Sequence, residues 1–283
     1  MKSLKIAIAL FLSVLLFSCE KQTPVKQPSS FKKVEEVQPS VDSKELQSDF
    51  RKWWTYYSYE INLSTDFIGL NEQLDIIEKS VFLKLLTSGK YIPLKEPSSD
   101  EIHTYRLLKL SSDADESISA TIKNEAKKHW KHFQMEGTPL PAFDVTDLNG
   151  NRYTNASTKG KTLVLKTWFI NCKACVAEFP ELNEWVGEHQ QQKDLIFLSF
   201  ALDQSQDLER FLQKREFAYQ TVPNQKEFIN TKMNLSIYPT HLIVDKNGII
   251  QKVVNNASDI ISFFEKQERL KGKKAAPPPP AAI

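Results

Sequence analysis

The chain has 283 residues, a length that allows one or two domains. Its 37 Lys and Arg against 35 Asp and Glu leave a formal charge of +2, so nothing in the charge balance calls for a nucleic-acid partner. It holds only three cysteines, at positions 19, 172 and 175.

At the N-terminus, Lys2 and Lys5 form a positive start and residues 6–17 a short apolar stretch interrupted only by Ser13. That stretch is too short for a good membrane span and reads as a secretory signal. The run Leu16-Phe17-Ser18-Cys19 resembles the lipobox of bacterial lipoproteins. The resemblance implies that Cys19 is lipidated and becomes the mature first residue, with a signal peptide and lipidation cysteine over 1–19. Phe17 is bulkier than the residue usual there. Several acyl chains on one residue hold a protein stably at a membrane. An uncleaved anchor or a plain signal peptide is the alternative. Residues 20–41, rich in Lys, Gln, Pro, Ser, Val and Glu, show no lasting apolar period and predict a disordered tether.

Residues 42–135 form a separate α+β region of unknown role. A helix is predicted over 43–54. Tyr57, Tyr59, Ile61 and Leu63 alternate with polar residues, the pattern of a half-buried strand. Ser80 is placed to cap a short helix carrying Val81, Phe82, Leu85 and Leu86 that stops at Gly89. A strand follows over 103–110. Ile118, Ile122, Ala126, Trp130 and Phe133 recur at helical spacing, which predicts an amphipathic helix over 116–134 whose apolar side needs covering. His129 and His132 lie three apart on it and suggest a shared metal. Lys127, Lys128 and Lys131 beside them argue instead for a solvated basic face.

Residues 136–270 read as one α/β domain. A strand, the turn Leu148-Asn149-Gly150-Asn151 and a second strand make a hairpin. Residues 163–169 and 195–202 are almost continuously apolar, as in strands of a parallel sheet buried on both faces. The helix between them makes a right-handed crossover. Then come a helix over 207–215, a strand over 219–222, a helix over 226–233, a second hairpin over 240–254 around Lys246-Asn247-Gly248, and a closing helix over 258–270. Residues 271–283, with four consecutive prolines from Pro277 to Pro280, predict a disordered Lys/Pro-rich tail.

The first of those apolar strands delivers Cys172-Lys173-Ala174-Cys175 to a helix start. Two cysteines two residues apart at that place are the layout of a dithiol redox centre. The helix N-terminus favours a thiolate at the first cysteine. A zinc site would need two further ligands at motif spacing, and the five histidines (103, 129, 132, 189, 241) supply no tight second pair near the motif. A purely structural disulfide closing so small a loop would add little stability.

These residues bring a resemblance into view. Trp168-Phe169-x-x-Cys172-x-x-Cys175-x-x-Glu178-x-Pro180, the preceding hairpin, and Tyr238-Pro239-Thr240 before a core strand resemble the TlpA/ResA-type thiol–disulfide oxidoreductases of the bacterial cell envelope. The resemblance implies a thioredoxin-like fold over 136–270, a central mixed sheet flanked by helices with an N-terminal β-hairpin. It makes Cys172 the attacking thiol, Cys175 the resolving thiol and Pro239 a cis-proline. Trp168, Tyr238 and Thr240 fall on the substrate side, and Pro180 kinks the active-site helix. No cofactor beyond the Cys172–Cys175 disulfide, and no metal, is implied. Its partners would be a protein thiol or disulfide substrate and a membrane electron donor, with apocytochrome c one such substrate.

Three positions depart from the pattern: Ala174 replaces proline, Asn171 replaces an aromatic, and Lys166 stands where thioredoxins bury an acid. A lysine on a central strand must be paired or reach solvent. Pairing with Glu178 would put that acid in the role of proton acceptor for Cys175; the alternative is escape at the strand end. Lys173 and the helix start favour the Cys172 thiolate. Lowering a thiol from about 8.5 to about 7 corresponds to about 2 kcal/mol. Stabilising the thiolate raises the two-electron potential by about 30 mV per 1.4 kcal/mol or so. The resemblance implies a protein-disulfide reductase, since members of that type mostly reduce, and the charge beside the motif predicts one less reducing than a cytosolic thioredoxin. Its rivals are a disulfide oxidase or isomerase, a peroxide reductase (for which no Pro-x-x-x-Thr-type loop exists), and a copper chaperone using His241. The expected location is a periplasm-facing lipoprotein; Glu20 is no strong inner-membrane retention signal, which favours the outer membrane.

Overall fold

The computed structural model describes residues 42–97 and 102–275, with side chains described through residue 270. The predicted signal, Cys19, the tether and residues 276–283 lie outside the described residues.

The front lobe begins with α1 (Ser43–Ser48) and α2 (Phe50–Glu60). Asp42 and Asp49 each cap a helix through the side chain, and Asp49 breaks what the sequence suggests is one helix. The strand expected over 57–63 is instead the end of α2. Trp53 and Tyr57, four residues apart, pack against each other on one face toward the core, while Tyr59 is 84% exposed. Helical burial of the 53/57 pair outweighs the apparent alternation. Next come β1 (Phe67–Leu70), β2 (Ile76–Ile77), α3 (Lys79–Leu86), β3 (Tyr91–Glu96), β4 (His103–Lys109) and α4 (Glu116–Met135). Ser80 lies inside α3, and Glu78 holds the cap position without a side-chain bond. Gly89 follows the helix at φ 72°. The sheet order is β2-β1-β4-β3, with β1 and β4 parallel. Phe82, Leu83, Leu86, Tyr105, Ile118 and Ile122 fill the core between this sheet and the helices.

The rear lobe opens with the hairpin β5 (Asp144–Thr146) and β6 (Arg152–Thr154). Asp147 ties its turn by accepting from the backbone N–H of Asn149 and of Asn151, and Gly150 sits at φ 84°. Then follow β7 (Thr162–Trp168), α5 (Lys173–Ala177), α6 (Phe179–Glu188), β8 (Leu195–Ala201), α7 (Ser205–Leu212) and β9 (Gln220–Val222). The helix expected over 226–233 is a π-helical turn, Phe228–Lys232. β10 (Thr240–Val244), β11 (Ile250–Val254) and α8 (Ala257–Ala275) complete the lobe. α8 runs five residues past 270, into the predicted tail. Lysine and alanine are good helix formers, so the helix outlasts its apolar face.

The rear sheet has the order β11-β10-β7-β8-β9, parallel over β7, β8 and β9 and antiparallel at β10 and β11. β7 is apolar on both faces because both are covered. Leu163 and Leu165 pack with Phe200, Leu242 and Val253 on one side. Val164 packs with Leu182, Trp185 and Ile260 on the other. The fold is therefore a thioredoxin-like mixed α/β lobe joined to a smaller α+β lobe, and both belong to one compact unit. α4 packs against α3 and against β11. His132 is buried there, so the basic face expected around it is not solvated on that side. No helix among the described residues is long and apolar enough to cross a membrane.

Candidate functional site

β7 ends at Trp168, and the chain turns through 169–171 to reach the cysteines. Ile170 N–H donates to the Asp203 carboxylate at 2.8 Å, which fixes the turn. Cys172 occupies the N-cap position of α5, and its Sγ accepts from the Cys175 N–H at 3.2 Å. The two cysteines form a disulfide with Cα atoms 5.2 Å apart. Cys172 is 8% exposed and Cys175 is fully buried, so one sulfur is offered outward and the other faces the interior. Lys173, between them, is exposed. Beside the pair, a concavity of about 880 Å³ runs between α5–α6 and α7, lined by Ile170, Lys173, Phe179, Phe211, Lys214 and Arg215.

The helix after the disulfide breaks at Glu178, and Pro180 falls in the first turn of α6, where its missing N–H costs nothing. Phe179 stacks on Phe217 with ring centroids 3.9 Å apart. On the other side, the Tyr238–Pro239 peptide bond is cis. Tyr238 packs edge-on against Phe169 and donates its hydroxyl hydrogen to Asn230 at 2.6 Å. Asn255 donates to the Pro239 carbonyl at 2.8 Å and to Thr240 Oγ1 at 3.1 Å, pinning the loop.

Two residues expected on the substrate side are interior. Trp168 is fully buried, packed edge-on against Phe179 and Phe217, with its indole N–H donating to Ser199 Oγ at 3.2 Å. Thr240 is also fully buried and donates to Ile237 O at 2.7 Å. Both stand on strands covered on both faces, so they support the motif from beneath. Tyr238 alone of the three is part-exposed.

Lys166 is fully buried and forms an ion pair with Glu178 Oε2; it does not escape at the strand end. The same oxygen accepts from His241 Nε2 at 3.0 Å, and Glu178 Oε1 accepts from the Ala257 N–H at 2.9 Å. Burial pushes Lys166 below its ordinary range, opposed by the carboxylate. Burial would raise Glu178, but the His241 hydrogen bond and the nearby charges outweigh it and hold the carboxyl low. His241 is pushed down to about 4 by burial and by Lys166, which leaves it neutral near pH 7. The sequence offers His241 only as a copper ligand near the thiols; its contact with Glu178, and the parts played by Asn255 and the Ala257 N–H, are not visible there. Only the cross-strand register, His241 opposite Lys166, brings the imidazole there. Among the described residues, no group of three His, Cys, Asp or Glu is arranged to hold a metal ion, and His129 and His132 form none.

A mixed five-stranded sheet, a Cys-x-x-Cys disulfide at a helix start and a cis-proline ahead of a core strand define a thioredoxin-like domain. Residues 137–253 match the model of the AhpC/TSA family. Thiol-disulfide oxidoreductase ResA of Geobacillus kaustophilus is 25% identical over 118 residues, which is 42% of this chain and 68% of that protein. Thioredoxin-like protein YneN of Bacillus subtilis is 27% identical over 121 residues, 42% of this chain and 71% of that protein. Among solved structures, the thioredoxin domain of a thiol-disulfide oxidoreductase from Bacteroides vulgatus aligns with a TM-score of 0.43 and 21% identity, covering 47% of this chain and 96% of that one. This part of the chain is thioredoxin-like in fold and is similar to thiol–disulfide oxidoreductases of the TlpA/ResA type.

Proposed function

We propose that the chain is a thiol–disulfide oxidoreductase of the cell envelope that reduces protein disulfides, held at a membrane through lipid on Cys19. The observation that carries this reading is the unequal pair of cysteines, Cys172 8% exposed and Cys175 fully buried. In the reduced protein the Cys172 thiolate attacks a substrate disulfide. A bond forms between Cys172 and one substrate sulfur, and the other substrate sulfur leaves as a thiolate. Cys175 then gives its proton to Glu178 and attacks Cys172 Sγ. The bound substrate sulfur departs and takes up a proton. Two electrons have moved to the substrate, and the 172–175 disulfide is restored.

Resetting the cycle needs two electrons and two protons from a membrane donor, because the envelope has no soluble thiol pool of the cytosolic kind. The helix start and the exposed Lys173 support a stabilised Cys172 thiolate, which makes the dithiol a mild reductant. Equilibration with glutathione buffers tests the direction. A potential well below that of glutathione supports reduction, and one far above it assigns the chain to disulfide formation. A protein that exchanges with no thiol reagent refutes both.

A further inference from the structure

The face of the rear sheet beneath α6 and α8 carries a row of polar side chains. His241 on β10 lies opposite Lys166 on β7, Lys166 opposite Ser199 on β8, and Ser199 opposite Thr221 on β9. His241, Lys166 and Ser199 are fully buried and Thr221 nearly so. One row along, the same face is apolar, with Val164, Phe197 and Ile243 side by side. Burying polar groups costs free energy unless each is partnered. Ser199 and Thr221 partner one another at 3.1 Å, and Ser199 also receives the Trp168 indole. Lys166 has Glu178. The core would be complete with an apolar side chain at 241. Instead it holds an imidazole whose Nδ1 is buried with no hydrogen-bond partner among the described residues.

The geometry at the other nitrogen accounts for that cost. Nε2 faces a carboxylate oxygen at 3.0 Å, so it is the nitrogen that carries the hydrogen, and Nδ1 keeps its lone pair. We propose that His241 is a positioning residue for the resolving step: its Nε2–H, with Lys166 and the Ala257 N–H, clamps Glu178 in the ionised state one helical turn after Cys175. Glu178 stands at the C-cap of α5, three residues after Cys175, a spacing at which helical residues are neighbours. The inference rests on the proposed role of Glu178 as proton acceptor and adds the group that keeps it in place.

The groups that face this carboxylate or flank its partners come from six places in the fold. β7 gives Lys166 and β10 gives His241. α8 gives the Ala257 N–H. β8 gives Ser199, next to Lys166 in register. Ahead of β9, Tyr219 has a buried hydroxyl without a partner, pushed up by burial and by the Glu178 charge. β11 gives only Val254 opposite His241. In the resolving step the Cys175 S–H bond breaks, its proton goes to Glu178, and the sulfur electron pair closes the bond to Cys172. Lys166 stays a cation and His241 stays neutral throughout. The proton then passes to the departing thiolate or to solvent.

The test uses the reduced full chain and a chromogenic aromatic disulfide. The first release of aromatic thiolate reports attack by Cys172, and the second reports resolution by Cys175. In His241→Phe the second phase should slow about tenfold relative to the first, with its pH midpoint displaced upward, a part of the factor that a placed proton acceptor supplies. His241→Gln, which keeps an N–H donor of similar reach, should recover most of that loss. Glu178→Gln should slow the second phase at least as much, and adding His241→Phe to it should slow it no further. If His241→Phe does not fold, His241→Asn, too short to reach Glu178, takes its place against His241→Gln. An unchanged ratio and midpoint in His241→Phe, with Glu178→Gln slowed, overturns this inference alone, as does failure of His241→Gln to recover. An unchanged second phase in Glu178→Gln overturns it together with the role given to Glu178.

Discussion

Replacing Lys166 by Met removes one charge of a buried pair at nearly constant volume. Two unit charges about 3 Å apart attract by about 5 kcal/mol at an effective dielectric constant near 20. The desolvation of both ions offsets much of this, yet deleting one partner of a buried pair typically costs about 3–5 kcal/mol, because the other is stranded. Here Glu178 keeps two donors, His241 and the Ala257 N–H. The expected loss for Lys166→Met is therefore near the low end, about 3 kcal/mol at pH 7. Glu178→Gln should lose about as much, since it strands a fully buried ammonium. The double variant strands neither, so it should lose at least about 2 kcal/mol less than the sum of the singles. Urea unfolding of the four proteins closes the cycle. Additivity within about 0.5 kcal/mol would show that the two groups do not support one another and would refute the reasoning. A thiol titration of the same set adds a functional reading, because Lys166→Met should move at least one cysteine's apparent pKa.

Acid should destabilise the protein well before its carboxylates titrate. His132 and His241 are both held near 4 in the fold, against 6.5 in the unfolded chain. The unfolded state therefore binds more protons as pH falls from 6.5 toward 4, at a cost of about 2 kcal/mol for each histidine by pH 5. Glu178, held low, contributes stability that is lost only as pH falls further, through its folded value. A urea midpoint that does not fall between pH 7 and pH 5 would contradict the burial of these rings. Cys175→Ala should accumulate a mixed disulfide with a protein substrate, visible on non-reducing gels, while Cys172→Ala should accumulate none through the remaining thiol. A Cβ added at Gly69 would lie 2.9 Å from Phe82 Cδ2, itself in the fully buried core. Gly69→Ala should cost about 1–3 kcal/mol, read as a lower thermal midpoint.

The rear lobe was readable because its strands are apolar on both faces and its motif residues stand at short, fixed spacings. Cys172, Cys175 and the break at Glu178 are local facts, decided within two turns of helix. The front lobe was harder. Tyr57, Tyr59, Ile61 and Leu63 satisfy a period of two over four positions, but the partner that decides the matter, Trp53, stands one turn earlier. β1 and β2 are too short to carry a period of their own. At the site, charge alone leaves Lys166 either paired with Glu178 or escaping at the strand end, and the structure shows the pair. The arrival of His241 depends on which residue of β10 faces which residue of β7, and no local pattern encodes that register. The burial of Trp168 and Thr240 is hidden for a similar reason: adjacency to the motif in the chain does not say which way a side chain points.

The segment 255–259 joins three things that a domain diagram would draw apart. Asn255 holds the Pro239 carbonyl, Ala257 holds the Glu178 carboxylate, and Asp259 accepts from Asn62 of the front lobe at 2.7 Å. A catalytic fragment cut to begin at residue 136 would shed Asn62 and take one hydrogen bond from the opening turn of α8. Rate constants measured on such a fragment would describe a differently tuned enzyme, so the shorter protein is a poor stand-in for the whole.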